Sequence, residues 1–125
     1  MEREPIIEQV QSPLARWLAV LAWAGVIFAF SSVPDLGTGL GGWDIVLRKI
    51  AHAVEFAILG ALLLRSVRRP WTAFALGVAY AISDEIHQHF VAGRQATPRD
   101  VLIDSVGLAL GLLAWRRLSP PRRSP

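Results

Sequence analysis

The chain of 125 residues contains no cysteine, one tyrosine and one methionine. Without cysteine, the protein cannot form disulfides, use a thiolate nucleophile or bind a cysteine-ligated zinc ion. The sequence also lacks a P-loop, a dinucleotide-binding fingerprint and a serine–histidine–aspartate arrangement. These absences give no support to the common nucleotide-dependent and hydrolytic enzyme classes.

Charge is scarce as well, because only 18% of the residues are charged whereas 53% are hydrophobic. The charges gather in short clusters separated by apolar stretches of 14 to 20 residues. Helices of that length cross a bilayer core of about 30 Å. The pattern predicts one all-α domain, an integral membrane bundle of four transmembrane helices. The predicted spans cover residues 17–30, 45–64, 71–90 and 97–115.

The fourth span has a clear start signal, Thr97-Pro98-Arg99-Asp100. Thr97 can cap the helix, proline suits its first position, and a carboxylate at the third position favours the helix N-terminus. Four of the tryptophans lie near predicted helix ends, where the headgroup region favours indole rings. They are Trp17, Trp43, Trp71 and Trp115.

The basic residues predict the orientation. Nine of the 13 fall at the N-terminus, in the second connection and at the C-terminus, and the other four, Arg48, Lys49, Arg94 and Arg99, fall on the opposite side. Because cytoplasmic loops carry the excess of basic residues, both termini are predicted to be cytoplasmic. We expect the protein in the bacterial cytoplasmic membrane, with residues 1–16 as a cytoplasmic segment, 17–117 as the membrane domain and 118–125 as a basic cytoplasmic tail.

The sequence pI near 10.6 does not indicate a nucleic-acid partner. The arginines flank apolar segments and are not interleaved with exposed aromatic residues, so membrane topology explains them better. Membrane lipids are therefore the predicted partners, and nucleic acid is not.

Polar residues recur in the predicted outer halves of three helices. Lys49, His52 and Glu55 follow one another at spacing three on the second helix and so form one stripe. On the third helix, Asp84, His87 and Gln88 share a face, which Glu85 and His89 adjoin. On the fourth, Asp100 and Asp104 are one turn apart, and Gly107 and Gly111 continue the line.

A charge near the middle of a bilayer costs about 2.5–3.5 kcal/mol on insertion scales. Several such charges must therefore pair, titrate or face water. We expect the three polar stripes to turn inward around one pocket that opens at the outer leaflet. Gly107 and Gly111 could form a dimer seam, but close packing inside the bundle is the preferred interpretation. The oligomeric state is not predicted.

The ordered motifs of these helices resemble those of the VanZ-like family. They are Lys49-x-x-His52-x-x-Glu55-Phe56-x-x-Leu59-Gly60, Asp84-Glu85-x-x-Gln88-x-Phe90-x-x-Gly93-Arg94 and Asp100-x-x-x-Asp104-x-x-Gly107-x-x-x-Gly111. Phe30-Ser31-Ser32 resembles the end of the family's first helix. Asp104 is a departure, since the family more often has asparagine there. The family is named for a protein associated with teicoplanin resistance. The resemblance implies a fold and a site, but it implies no reaction.

The predicted ligand is the anionic headgroup of a cell-envelope lipid or lipid-linked precursor. Arginine can hold an anion with two hydrogen bonds, and lysine acts as a point charge beside it. Lys49 and Arg94 are accordingly the predicted cationic contacts, although Arg94 could instead pair with Asp100. The full predicted binding set is Lys49, Glu55, Asp84, Gln88, Arg94, Asp100 and Asp104.

Two alternatives remain open from the sequence. The protein could be a membrane-embedded hydrolase or transferase with His52 or Glu85 as general base, since histidine titrates near neutral pH. It could also be a small transporter, which four helices could form only by oligomerising. No organic cofactor is predicted. A divalent metal could bind Asp84-Glu85-x-His87 together with His52 and Glu55, or these groups could form buried ion pairs instead.

Overall fold

The computed structural model describes residues 12–34, 41–94 and 96–119. In these parts of the chain it contains four α-helices and no strand, which confirms the predicted all-α class. Most of the predicted N-terminal segment and most of the predicted basic tail lie outside the described residues. The helices are α1 (Pro13–Ser31), α2 (Gly42–Val67), α3 (Pro70–His89) and α4 (Pro98–Leu118).

Each predicted span corresponds to one helix, but α1 begins earlier than the apolar run that predicts it. Ser12 is the N-cap residue, and its hydroxyl oxygen accepts a hydrogen bond from the backbone N–H of Ala15 at 3.2 Å. Pro13 then occupies the first helical position, where its missing N–H costs nothing. Arg16 is thus part of the first turn of α1.

The start of α4 follows the sequence prediction closely. One carboxylate oxygen of Asp100 accepts hydrogen bonds from the backbone N–H of Thr97 at 3.3 Å and from its hydroxyl group at 3.0 Å. Pro98 is the first helical residue. The helix therefore starts at Pro98, as predicted.

Two of the described helices, α1 and α2, are long and apolar enough to cross a membrane. With 26 residues, α2 measures about 39 Å at 1.5 Å per residue, which exceeds a bilayer core of about 30 Å. Large apolar side chains are also exposed on α3 and α4, whereas soluble monomers rarely expose large apolar patches. Such a surface suits a lipid environment. Examples are Leu21, Val54, Trp71, Ile86, Leu102 and Leu110.

Successive helices run in opposite directions along the bundle. Only Arg68 and Arg69 separate α2 from α3, so these helices run antiparallel. Arg68 adopts a left-handed conformation with φ 63°, and its N–H bonds to the carbonyl of Leu64 at 2.8 Å. After the next connection, α4 runs parallel to α2. The N-termini of α2 and α4 therefore lie at the same end of the bundle as the C-termini of α1 and α3.

The most extensive packing joins α2 and α4, and glycines allow it. A Cβ at Gly107 would meet the backbone carbonyl of Ala53, and one at Gly111 would meet that of Ala57. From the other side, a Cβ at Gly60 would lie 2.6 Å from the carbonyl oxygen of Leu108. The structure thus confirms close packing inside the bundle for Gly107 and Gly111. The buried apolar core extends from this seam and includes Ile27, Phe56, Leu59, Leu63, Ala73, Ala81, Leu108 and Leu112.

Adding one methyl group at this seam should destabilise the fold. Gly107→Ala should lower the free energy of unfolding by about 1–3 kcal/mol, since the backbone of α2 would have to move away. Thermal unfolding in detergent measures the effect. Gly25→Ala is the matched control, because nothing lies within 4 Å of a Cβ there. That change should be neutral or stabilising by up to about 1 kcal/mol. Equal losses at both positions would contradict the packing.

The predicted orientation can be checked with single cysteines, since the chain has none of its own. Gly42→Cys and Ala92→Cys lie at the end of the bundle that is predicted to face outward, and Arg69→Cys lies at the other end. All three positions are exposed. On intact cells, an impermeant thiol reagent should label the first two variants and leave Arg69→Cys unlabelled. The opposite pattern would reverse the orientation.

Candidate functional site

A cavity of about 410 Å³ opens at the end of the bundle where α2 and α4 begin. The polar stripes of these two helices face it, and α3 contributes at its inner side. The connection between α3 and α4 forms part of its rim. The cavity is lined by Ile45, Arg48, Lys49, His52, Gln88, Gly93, Arg94, Thr97, Asp100, Ile103 and Asp104.

Lys49 and Asp100 form an ion pair across the mouth of this cavity. The ammonium nitrogen lies 3.7 Å from a carboxylate oxygen of Asp100, while the Lys49 side chain remains 45% exposed. Asp100 also anchors the start of α4 through Thr97. An exposed pair of this kind contributes little stability, about 0–1 kcal/mol. Lys49 therefore loses little if it exchanges Asp100 for an anionic ligand.

Three groups lie close together deeper in the bundle. His52, Asp84 and Asp104 each offer one nitrogen or oxygen atom, and these atoms lie within 4.8 Å of one another. His52 Nδ1 is 3.4 Å from Asp104 Oδ1, yet neither carboxylate oxygen of Asp104 has a hydrogen-bond partner. Asp84 and Asp104 are only 3% and 1% exposed. We call these three residues the buried cluster.

Gln88 connects the buried cluster to α1. Its amide nitrogen donates a hydrogen bond to Asp84 Oδ2 at 2.9 Å. The same nitrogen lies 3.3 Å from His52 Nε2 and 3.3 Å from the hydroxyl oxygen of Ser31. An amide nitrogen carries two hydrogens, so it can donate to two of these three acceptors at once. Gln88 thus fixes one oxygen of Asp84 and leaves the other, Oδ1, without a partner.

Arg94 holds the end of α1. Its Nε donates to the carbonyl oxygen of Val33 at 3.0 Å, and its Nη2 donates to that of Phe30 at 2.9 Å. The last carbonyls of a helix have no intrahelical partner, which explains why a guanidinium group stabilises this position. The sequence predicts Arg94 as an anion contact or a partner of Asp100 and does not indicate this contact with the end of α1.

The two remaining predicted acids lie beside the buried cluster. Glu55 is half-buried, and its Oε2 has no hydrogen-bond partner. Glu85 is buried against Asp100 and the backbone of Thr97. Glu85 does not line the cavity. Of the two predicted catalytic residues, only His52 therefore faces the space that a ligand can enter.

The metal set suggested by the sequence is not assembled in the structure. His87 stacks on Phe28, with ring centroids 4.3 Å apart, and its Nε2 lies 2.9 Å from the hydroxyl oxygen of Ser32. Neither His87 nor Glu85 belongs to the buried cluster, whereas Asp104 does. Helical geometry explains the difference: Asp84 and Glu85 are about 100° apart on α3 and face different neighbours.

The sequence does not indicate several residues of α1 and α3 that form hydrogen bonds between the helices around the site. The Tyr80 hydroxyl group donates to the carbonyl oxygen of Ala24, and the Trp23 indole N–H donates to that of Glu55 at 2.8 Å. Ser31 is fully buried beside Gln88. Phe30-Ser31-Ser32 was the one signal available, since it is part of the family resemblance. The two aromatic residues resemble ordinary apolar-helix residues and gave no signal.

A family model described as VanZ/LLP1 matches residues 13–119 of the chain. A protein of Bacillus subtilis (strain 168) named "Uncharacterized membrane protein YwnJ" is 36% identical over 92 residues. The aligned region covers 68% of this chain and 65% of that protein, slightly less than two thirds of the relative's length. No solved structure matches the chain significantly.

The contact between Arg94 and α1 should be measurable as stability. Arg94→Ala should lower the free energy of unfolding by about 1–2 kcal/mol, because two helix-terminal carbonyls lose a charged donor. Chemical denaturation in detergent provides the measurement. Arg99→Ala removes the same charge from an exposed position in the first turn of α4 and should be neutral or slightly stabilising. If both changes cost the same, the α1 contact does not stabilise the fold.

Proposed function

The chain belongs to the VanZ/LLP1 family of membrane proteins, and we propose that its cavity binds the anionic headgroup of an envelope lipid or lipid-linked precursor. One observation carries the proposal: three basic side chains, Arg48, Lys49 and Arg94, line a cavity that opens at one end of an apolar bundle. A polar cavity with basic groups at the end of a lipid-facing bundle suits a ligand whose charged head and apolar tail must be bound at one interface.

In the proposed topology all four helices cross the cytoplasmic membrane, and both termini are cytoplasmic. The distribution of basic residues supports this orientation. Trp43 at the cavity end and Trp71 at the opposite end are both exposed, at 68% and 85%, as expected for indoles in the two headgroup regions. The cavity then opens at the depth of the outer-leaflet phosphates.

Lys49 is the principal cationic contact in this proposal. Its ammonium group is partly exposed, and its ion pair among the described residues is with Asp100, at 3.7 Å. Arg94 already uses Nε on the carbonyl of Val33 and Nη2 on that of Phe30, so it has less donor capacity left for a ligand. The headgroup phosphate would take the place of the Asp100 carboxylate beside Lys49, since both are oxygen anions.

The position of the polar groups along the bundle supports a binding site at one membrane face and argues against a transport path. The polar side chains cluster at the cavity end, whereas Leu59, Leu63 and Ala73 fill the described interior toward the opposite end. An apolar plug of this kind would have to be opened before an ion could pass. A single headgroup site needs no such path.

A catalytic version of the same site has His52 as its general base. His52 lines the cavity, and its Nδ1 lies 3.4 Å from Asp104, so a carboxylate could orient the imidazole ring. This geometry favours His52 over Glu85. An enzyme would lose turnover in His52→Ala while retaining its affinity for the headgroup, whereas a binding protein would change only in affinity.

We propose that this binding gives the protein a role in resistance to glycopeptide antibiotics. It would follow if the bound headgroup is that of a lipid-linked envelope precursor. The resemblance to a family named for a teicoplanin-resistance-associated protein supports this role, and the basic residues of the cavity would supply the anion-binding chemistry that it requires.

Lys49→Gln should weaken the binding of anionic lipid by about tenfold, because the substitution removes a close charge contact worth about 1–2 kcal/mol. Purified protein in nanodiscs of zwitterionic lipid can be titrated with a polyisoprenyl phosphate and, separately, with phosphatidylglycerol. Tighter binding of the polyisoprenyl phosphate would identify a precursor, and equal binding would identify a general anionic lipid.

Arg69→Gln is the control for bulk electrostatics, since it removes one positive charge at the opposite end of the bundle. Its affinity for both lipids should equal that of the unmodified protein. Two results would refute the proposal: no saturable binding of either lipid, or equal weakening by Lys49→Gln and Arg69→Gln.

A further inference from the structure

We propose that His52, Asp84 and Asp104 bind a divalent transition-metal ion at the floor of the cavity. The residues come from three different helices, α2, α3 and α4, and their ligand atoms converge to within 4.8 Å of one another. Ligand atoms bound to one zinc ion at about 2.0–2.2 Å are at most about 4.4 Å apart, so small side-chain rotations would close the site.

The unpaired carboxylate oxygens are the independent observation. Asp104 is 1% exposed and Asp84 is 3% exposed, yet Oδ2 of Asp104 and Oδ1 of Asp84 have no partner, and Oδ1 of Asp104 contacts His52 Nδ1 at 3.4 Å without a hydrogen bond. Buried carboxylates are normally hydrogen-bonded, paired with a cation or bound to a metal. Asp84 and Asp104 each offer one oxygen to the group whose atoms converge, so a cation bound there would satisfy buried carboxylates of both residues.

The charge around the buried cluster is also unbalanced. Glu55, Glu85 and Asp100 surround it and add further carboxyl groups. Lys49 pairs with Asp100, and Arg94 donates to the carbonyls of Phe30 and Val33; among the described residues neither cation forms an ion pair with Asp84 or Asp104. A divalent ion would supply two positive charges where the carboxylates are most deeply buried.

The surrounding contacts fit a metal site as well. Gln88 donates to Oδ2 of Asp84 and so restrains that carboxylate, as residues that hydrogen-bond to metal ligands commonly do. His52 and Asp104 also line the cavity, so coordination positions not taken by the protein would face it. One imidazole with two carboxylates suits zinc or manganese better than calcium, which prefers oxygen ligands alone.

The inference does not depend on the proposed function, since metal binding is measured here without any anionic lipid. Protein purified in neutral maltoside detergent is stripped with a chelator, and its uptake of Zn²⁺ and Mn²⁺ is measured by elemental analysis and by competition with a chromogenic chelator. We expect one ion per chain. Asp84→Asn and Asp104→Asn should each weaken affinity by at least about tenfold, and Gln88→Ala by about 10–100-fold.

His87→Ala and His89→Ala are the matched controls, because both residues lie on α3 but outside the buried cluster, and both should keep full affinity. If the aspartate variants fail to fold, zinc-edge X-ray absorption of the unmodified protein decides the question. The site requires one imidazole and oxygen ligands around the ion. Substoichiometric uptake of both metals, unchanged affinity in Asp104→Asn, or a bound ion without an imidazole ligand would each overturn the proposal.

Discussion

The close approach of α2 and α4 determines where the polar groups of the site lie. Gly107 and Gly111 bring α4 against the backbone of α2 at Ala53 and Ala57. Because the two helices run parallel, residues one to two turns earlier on each are also neighbours. Lys49 therefore meets Asp100, and His52 meets Asp104. A larger residue at either glycine would separate the cationic stripe of α2 from the acidic stripe of α4.

The site is built in two layers with different chemistry. The outer layer contains exposed, exchangeable charges, represented by the pair of Lys49 and Asp100. The inner layer contains the buried cluster, whose Asp84 and Asp104 carboxylates form no ion pair with Lys49 among the described residues. A ligand that enters from the membrane surface meets the outer layer first. The proposed metal cation would bind the carboxylates of the inner layer, and the proposed anionic headgroup would bind in the outer layer. The two ligands therefore do not compete for the same residues.

The sequence predicted the four helices, the start of α4 and the convergence of three polar stripes, because these depend on hydropathy, capping and helical spacing. It did not predict the partner of Arg94, which is decided by where α1 ends relative to the next connection. The buried cluster also required tertiary information. Spacing alone placed His87 beside Asp84, whereas the packing of α1 turns His87 toward Phe28 and Ser32.

Tyr80 and Trp23 are further residues whose contacts the sequence does not predict. Each donates a hydrogen bond to a backbone carbonyl of a helix more than 30 residues away in sequence, and no local pattern marks such a contact. The periodicity of a single helix shows which of its faces is polar. It does not show which neighbouring helix supplies the hydrogen-bond partners of that face. The fold class was thus accessible from sequence, while the assignment of individual partners depended on the three-dimensional packing.

The central claim is that the polar end of this bundle is a ligand site and not a sealed network of ion pairs. An experimental structure in nanodiscs that contain anionic lipid tests it most directly. The account predicts headgroup density beside Lys49, within the cavity bounded by Asp100 and Thr97. A cavity closed by side chains, with lipid headgroups found only around the outside of the bundle, would contradict it.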